Sequence, residues 1–144
     1  MNVLEALRDG WGWTEIAFAE VHHVSPMGHL LLSDTDGCFH YLDPELRTIE
    51  ALGNEQAARA HFALDETREV WQAAPLVEAA RERLGECPDG SVYSLTPMAL
   101  LAGDYSHDNL WIVSLDELIR FTGDVARQTK DFPAGTEYRI EIGD

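Results

Sequence analysis

Residues 93–142 read YSLTPMALLAGDYSHDNLWIVSLDELIRFTGDVARQTKDFPAGTEYRIEI and hold the most closely spaced structural signals in the chain. Apolar runs at Ser91–Leu95 and Asn109–Val113 predict two short strands separated by a polar loop. Ser114 and Glu117 then have the spacing of a capping box, and the apolar residues that follow recur with a helical period. This segment therefore predicts a strand, a loop, a strand and a capped helix, followed by a last strand at Thr136–Ile142.

The residues before this segment predict further strands. Ile16–Val24 alternates apolar and polar residues, which is typical of a half-buried strand. His29–Ser33 and Cys38–Leu42 form a predicted hairpin, because Asp34-Thr35-Asp36-Gly37 supplies turn residues with glycine where a positive φ is needed. Arg47–Leu52 is a candidate for one more strand.

The middle of the chain is predicted to be helical. Asn54 is placed to cap one helix, and a second helical pattern runs over Thr67–Leu84. Pro75 interrupts that pattern, so either the helix kinks there or a new helix begins with proline in its first turn.

The N-terminal residues predict a short helix that Asn2 caps and that Gly10 and Gly12 break. Trp11 and Trp13 flank Gly12, and such a pair either closes one end of a core or forms an adhesive surface loop. We favour the core, because large aromatic side chains are highly buried on average.

The predicted strands cluster instead of alternating with helices. This order predicts a single α+β domain over residues 1–144, with a mostly antiparallel sheet and helices packed on one face.

The charge balance is strongly acidic. Asp and Glu number 26 against 10 Lys and Arg, which gives a formal net charge of −16 spread along the whole chain. Such a surface repels nucleic acid and anionic membranes and attracts basic partners. Solubility alone would also account for the charge, so this observation leaves both explanations open.

Cysteine usage and the termini predict a cytoplasmic protein. Cys38 and Cys87 are the only cysteines, and the acidic start of the chain lacks the features of a secretory signal. No apolar run reaches membrane-spanning length.

The motifs of the sequence predict no catalytic residue, metal site or cofactor. Cys38 and His40 share a strand face, but no C-x-x-C or H-E-x-x-H motif accompanies them. Asp34-x-Asp36-Gly37 begins like a calcium loop, yet the following residues lack its further oxygen ligands, so a hairpin turn is the better interpretation. Cys87 lies in a turn beside acids, which disfavour a reactive thiolate. We therefore expect no enzyme.

One polar loop is a candidate for function. Residues 104–109 read DYSHDN between two apolar strands, and functional residues often lie on such loops. Local turn chemistry by Asp108 and Asn109 is the alternative.

Two segments resemble a known family. MGHLLLSDTDGCFHYLDPE, which includes Gly28–Leu42, is similar to an early glycine-containing hairpin, and Tyr93–Ile142 is similar to a closing segment. In the latter, Gln128, Pro133, Gly135 and Thr136 occupy a helix-ending Gln and a Leu-Pro-x-Gly-Thr-like turn, while Ala102-Gly103 replaces a double glycine. In order and spacing, residues 20–142 resemble the immunity proteins paired with type VI secretion DNase effectors.

The resemblance implies an immunity protein of a polymorphic toxin system, which neutralises a toxin by stoichiometric binding. A basic nuclease is the partner that the acidic charge favours, with no direct binding of nucleic acid or membrane. Trp11, Trp13, Tyr105 and Trp111 are candidate aromatic anchors. The alternative is a binding or regulatory domain for a small ligand or a cellular protein. The predicted partner-binding residues are Asp104, Tyr105, His107, Asp108, Trp111, Asp34 and Asp36, and the oligomeric state is left open.

Overall fold

The computed structural model describes residues 3–95 and 109–129. Two short connections are tight: a 3-10 turn at Gly12–Thr14 follows the first helix, and Ala73 alone separates two later helices. The elements in chain order are α1 (Val3–Trp11), β1 (Phe18–Val24), β2 (Leu30–Asp34), β3 (Phe39–Asp43), β4 (Thr48–Gly53), α2 (Glu55–Phe62), α3 (Asp65–Gln72), α4 (Ala74–Leu84), β5 (Ser91–Leu95), β6 (Leu110–Ser114) and α5 (Leu115–Thr129).

Strands β1 to β4 form a four-stranded antiparallel sheet in sequential order. In the β2–β3 hairpin Leu30 faces Leu42 and Leu31 faces Tyr41. Strands β5 and β6 form a second antiparallel pair, in which Leu95 faces Leu110. The predicted α+β class with an antiparallel sheet is confirmed, and so are the predicted hairpin and the strand that follows it.

Both faces of the larger sheet are covered. Since neighbouring side chains along a strand point to opposite faces, Leu30, Leu32 and Leu42 lie on one face and Tyr41 on the other. The leucine face belongs to the main core, whose cluster also contains buried residues of α1, α4, α5, β5 and β6. On the other face, the rings of Phe62 and Trp71 from α2 and α3 lie 5.9 and 5.7 Å from the Tyr41 ring. The sequence predicted helices on one face of the sheet. The structure has helices on both faces.

The helix boundaries in the middle of the chain follow local chemistry. Asn54 caps α2, because its side-chain oxygen accepts a hydrogen bond from the Ala57 N–H at 2.9 Å. The Pro75 alternatives resolve in favour of a new helix, because α3 ends at Gln72 and proline lies in the first turn of α4. Ala73 makes the break with a positive φ of 44°.

The start of α5 differs from the predicted capping box. The Ser114 hydroxyl donates to the Asp116 carboxylate, and Asp116 Oδ1 accepts from the Glu117 N–H at 3.0 Å. The predicted capping box between Ser114 and Glu117 was therefore wrong, because Asp116 takes both hydrogen bonds. The carboxylate of Asp116, the second residue of α5, accepts the hydrogen bond from the backbone N–H, and the helix dipole favours negative charge in this first turn. The Ser114 and Arg120 hydrogen bonds both lower the Asp116 pKa, the Ser114 bond being the larger cause.

The prediction that Gly10 breaks the first helix was wrong. Helix α1 continues through Gly10 to Trp11, and it ends at the 3-10 turn, where Glu15 has a φ of 66°. The prediction of a core tryptophan is confirmed for Trp11, which is 1% exposed and donates from Nε1 to the Ile119 carbonyl at 3.1 Å. Trp13 is half-buried beside it, with the ring centroids 6.0 Å apart.

Several predictions lie outside the described residues. They are the Asn2 cap, the continuation of β5 past Pro97, and the last strand at Thr136–Ile142. Across residues 3–95 and 109–129, no helix has the length and apolar character that crossing a membrane requires.

Candidate functional site

Among the predicted aromatic anchors that the structure describes, Trp111 lies on the surface. It lies on β6 with 39% of its side chain exposed, and its Nε1 donates to the Leu95 carbonyl at 2.9 Å. The hydrogen bond fixes the indole and satisfies its only donor, so the exposed part of the ring is an apolar contact surface held in one orientation.

The other described anchors are not available in this way. Trp11 is buried and cannot contact a partner. Trp13 Nε1 donates to the carbonyls of Gly10 and Gly123 at 3.0 and 3.1 Å, so this residue joins α1 to α5. The expectation that both residues anchor a partner was therefore wrong. Trp11 packs in the core, and Trp13 links α1 to α5. Asp104, Tyr105, His107 and Asp108 lie outside the described residues.

Asp34 and Asp36 lie together in the turn between β2 and β3. Asp34 Oδ1 accepts from the N–H groups of Asp36 and Cys38 at 2.9 and 3.0 Å, and Oδ2 accepts from His40 Nε2 at 2.9 Å. These bonds, first that of His40 and then that of Cys38, lower the Asp34 pKa. Asp34 therefore organises the hairpin, whereas Asp36 is exposed at its tip.

The same hairpin brings three metal-ligating side chains together. Ligand atoms of Asp34, Cys38 and His40 all lie within 4.8 Å of one another. Neither Cys38 nor Cys87 is in a disulfide. Sequence reasoning placed Cys38 and His40 on one strand face but interpreted Asp34 only as a turn residue. It therefore missed this cluster of three.

A pocket of about 510 Å³ opens between the Tyr41 face of the sheet and helices α2 and α3. Sequence reasoning missed this pocket, because its lining residues come from separate strands and helices that lie far apart in the chain. Its lining combines apolar rings with two imidazoles and one ion pair. The lining residues are His22, His23, Leu31, Phe39, Glu55, Ala58, Arg59, Phe62 and Trp71.

Polar side chains of this pocket are tied to neighbours. His22 Nε2 lies 2.9 Å from the Ser33 hydroxyl, and its ring stacks on Phe39 at a centroid distance of 4.8 Å. Arg59 donates to Glu55 at 2.7 Å, which lowers the Glu55 pKa. The pocket is therefore an apolar, partly charged recess whose His22, Glu55 and Arg59 side chains already have hydrogen-bond or ion-pair partners.

A buried polar network lies under the same helices. His29 is 1% exposed, with Nδ1 2.7 Å from the Tyr41 hydroxyl and Nε2 3.2 Å from Glu45 Oε1. Burial, followed by the nearby Asp43 and Glu45 charges, raises the Tyr41 pKa. A buried phenol with a raised pKa stays protonated and is a poor nucleophile, so the network is suited to holding β3 and its following turn in place.

The surface charge is unevenly compensated. Arginines of the helices pair with neighbouring acids, as in Arg59–Glu55, Arg81–Glu86 and Arg127–Asp124. Outside those pairs many carboxylates remain on the surface, so the acidic excess is displayed to solvent. Exposed examples are Glu15, Asp36, Glu50, Glu66, Glu69, Glu78, Glu82, Asp89 and Glu117.

Comparison with known families matches part of the chain to a family model. The family model described as "T6SS immunity protein Tdi1, C-terminal" matches residues 56–126, from α2 into α5. The matched segment contains Trp111 and much of the closing segment, whereas the β2–β3 hairpin lies before it. A search of curated proteins finds no matching relative. Residues 56–126 therefore match the C-terminal domain family of the T6SS immunity protein Tdi1, in agreement with the immunity-protein resemblance found in the sequence.

Proposed function

We propose that this protein binds a cognate toxin in the cytoplasm and neutralises it by stoichiometric occupation, without catalysis. The family match is the observation that carries the proposal, because an immunity protein has a toxin as its partner. The toxin we propose is a basic nuclease effector.

The net charge supports a basic partner. A nuclease concentrates cationic side chains around its substrate groove, since the phosphate backbone supplies most of the binding energy there. A chain with a formal charge of −16 can occupy such a groove in place of nucleic acid. Complementary charge also accelerates association and makes it sensitive to salt.

We place the contact surface around Trp111 and the residues that precede β6. The exposed part of the Trp111 ring supplies an apolar centre of the kind that dominates protein interfaces. Asp104, Tyr105, His107 and Asp108 precede it in sequence and would add carboxylates and one phenol. Asp36 is a further exposed carboxylate, and Asp34 contributes by holding the hairpin that presents it.

Co-expression tests this proposal. The toxin encoded beside this gene is induced in a bacterial host, with and without this protein, and survival is counted. We expect survival with the protein and death without it. A toxin inactivated in its own active site is the control for expression burden. Death despite accumulation of folded protein would reject the proposal.

The pocket supports a second candidate function, a binding domain for a small apolar or aromatic ligand. Its volume of about 510 Å³ is within the range of small-molecule sites, and Phe39, Phe62 and Trp71 give it aromatic walls. A gene neighbourhood without a toxin or secretion gene would favour this function over the first.

A further inference from the structure

We propose that Asp34, Cys38 and His40 form a binding site for one divalent ion of the zinc class at the β2–β3 hairpin. Their ligand atoms lie within 4.8 Å of one another. The site precedes residues 56–126, so it is independent of the family match and of the proposed function.

Hairpin topology brings the three side chains to one face. The Asp34 N–H donates to the Cys38 carbonyl at 2.9 Å, which places these residues opposite each other at the end of the ladder. His40 lies two residues after Cys38 and faces Leu32, which lies two residues before Asp34. Since side chains two apart share a face, the carboxylate, thiol and imidazole converge without any loop having to move.

The carboxylate is already oriented for this role. Asp34 Oδ1 is held by two backbone N–H groups, which leaves Oδ2 directed at His40 Nε2, 2.9 Å away. The side chains of His40 and Asp34 are only 8% and 14% exposed, so an ion there would be largely shielded from water. Preorganised, partly desolvated ligands of this kind favour binding because less ordering is required.

The donor set favours zinc over calcium or magnesium. A thiolate and an imidazole are ligands of borderline and soft ions, whereas calcium and magnesium take oxygen ligands. On binding, the hydrogen between Oδ2 and Nε2 is lost from Nε2 and the neutral imidazole carries its hydrogen on Nδ1, while the thiol hydrogen of Cys38 leaves to solvent as a proton. Three protein ligands leave the fourth tetrahedral position for water.

The required adjustment is small. Two bonds of about 2.0 Å at a tetrahedral angle separate their donor atoms by about 3.3 Å. Oδ2 and Nε2 therefore move apart by a few tenths of an ångström from 2.9 Å, while the Cys38 sulfur closes toward them. Cys38 is half-buried at the hairpin end, and binding would replace the contact that its thiol makes with the Phe39 carbonyl at 3.6 Å.

Cobalt(II) substitution tests the site. The full-length protein, without affinity tag and freed of metal with a chelator, is titrated with cobalt chloride, and the thiolate-to-cobalt charge-transfer absorption is recorded. We expect a one-to-one signal that Cys87→Ser retains and that Cys38→Ser abolishes. Cys87 is the matched control, because it is the second half-buried free cysteine of the chain. His40→Gln should weaken binding by roughly tenfold or more.

Cysteine alkylation of the unsubstituted protein tests the site without depending on the folding of any variant. With zinc chloride, alkylation of Cys38 should slow at least tenfold while that of Cys87 is unchanged, as read by mass spectrometry. Absence of the charge-transfer band, a band that depends on Cys87, or equal alkylation with and without zinc would each overturn the proposal.

Discussion

The backbones of Gly10 and Gly123 touch where helices α1 and α5 cross. A Cβ atom on Gly123 would lie 2.2 Å from the Gly10 carbonyl oxygen, and one on Gly10 would lie 2.9 Å from the Ile119 carbonyl oxygen. The close crossing lets Trp11 and Trp13 hydrogen-bond to backbone carbonyls of α5. Gly123 lies within the family match and Gly10 before it, so the N-terminal helix is packed tightly against the matched region.

Gly123→Ala should therefore be strongly destabilising. The added methyl group meets rigid backbone instead of a flexible side chain, so the helices must separate, and we expect a loss of about 3 kcal/mol or more in the free energy of unfolding. Urea denaturation measures it. Gly12→Ala is the control, since nothing lies within 4 Å of a Cβ at Gly12, and equal stability of the two variants would contradict the account.

Tyr41→Phe should destabilise the fold without changing its shape. The substitution removes the hydroxyl at 2.7 Å from His29 Nδ1 and leaves a buried imidazole nitrogen without its partner. We expect a loss of about 1–3 kcal/mol in the free energy of unfolding, the usual cost of an unsatisfied buried polar group. In a double-mutant cycle with His29→Gln, the two losses should be less than additive, whereas strict additivity would argue against the network.

The lowered Asp34 pKa predicts a loss of stability in acid. A carboxyl group whose pKa is lower in the folded state stabilises the fold above its unfolded pKa, about 3.9, and this contribution disappears as the pH falls through the lower folded value. The unfolding temperature of the native sequence should therefore fall over this range. Asp34→Asn should flatten the fall, and Asp36→Asn is the matched control at the exposed tip. A steeper acid response in Asp34→Asn would contradict the assignment.

Trp111→Ala should weaken the toxin complex. Truncating a central tryptophan of an interface costs about 2 kcal/mol, which corresponds to roughly a 30-fold higher Kd. Calorimetric titration against the toxin measures the change. Leu64→Ala, at a side chain 56% exposed on the α2–α3 connection, is the control and should bind normally. Equal affinities would place the interface elsewhere.

The parts of the fold that depend on neighbouring residues could be predicted from the sequence. Turn residues determine the Asp34–Gly37 hairpin, Asn54 caps α2 through a donor three positions away, and Pro75 restricts the helical pattern to a kink or a new helix, of which the structure has the new helix. These interactions involve short stretches of chain, where residue type alone decides the outcome.

What the sequence could not supply depends on distant contacts. Gly10 was interpreted as a helix breaker because its propensity is poor, whereas the crossing with α5 explains why a glycine is required there. The pocket forms only when α2 and α3 pack over the Tyr41 face. The Asp34–Cys38–His40 cluster was within reach, because the predicted hairpin register already places the three residues on one face.

Titration of the purified toxin with this protein, at low and at physiological salt, tests whether the protein neutralises the toxin by stoichiometric binding. Complex formation is followed by calorimetry, and nuclease activity is assayed in the same samples. We expect a one-to-one complex, loss of activity at the equivalence point, and weaker, slower association as salt rises. A toxin that stays fully active in the presence of excess folded protein at low salt, with no complex detected, would contradict this expectation.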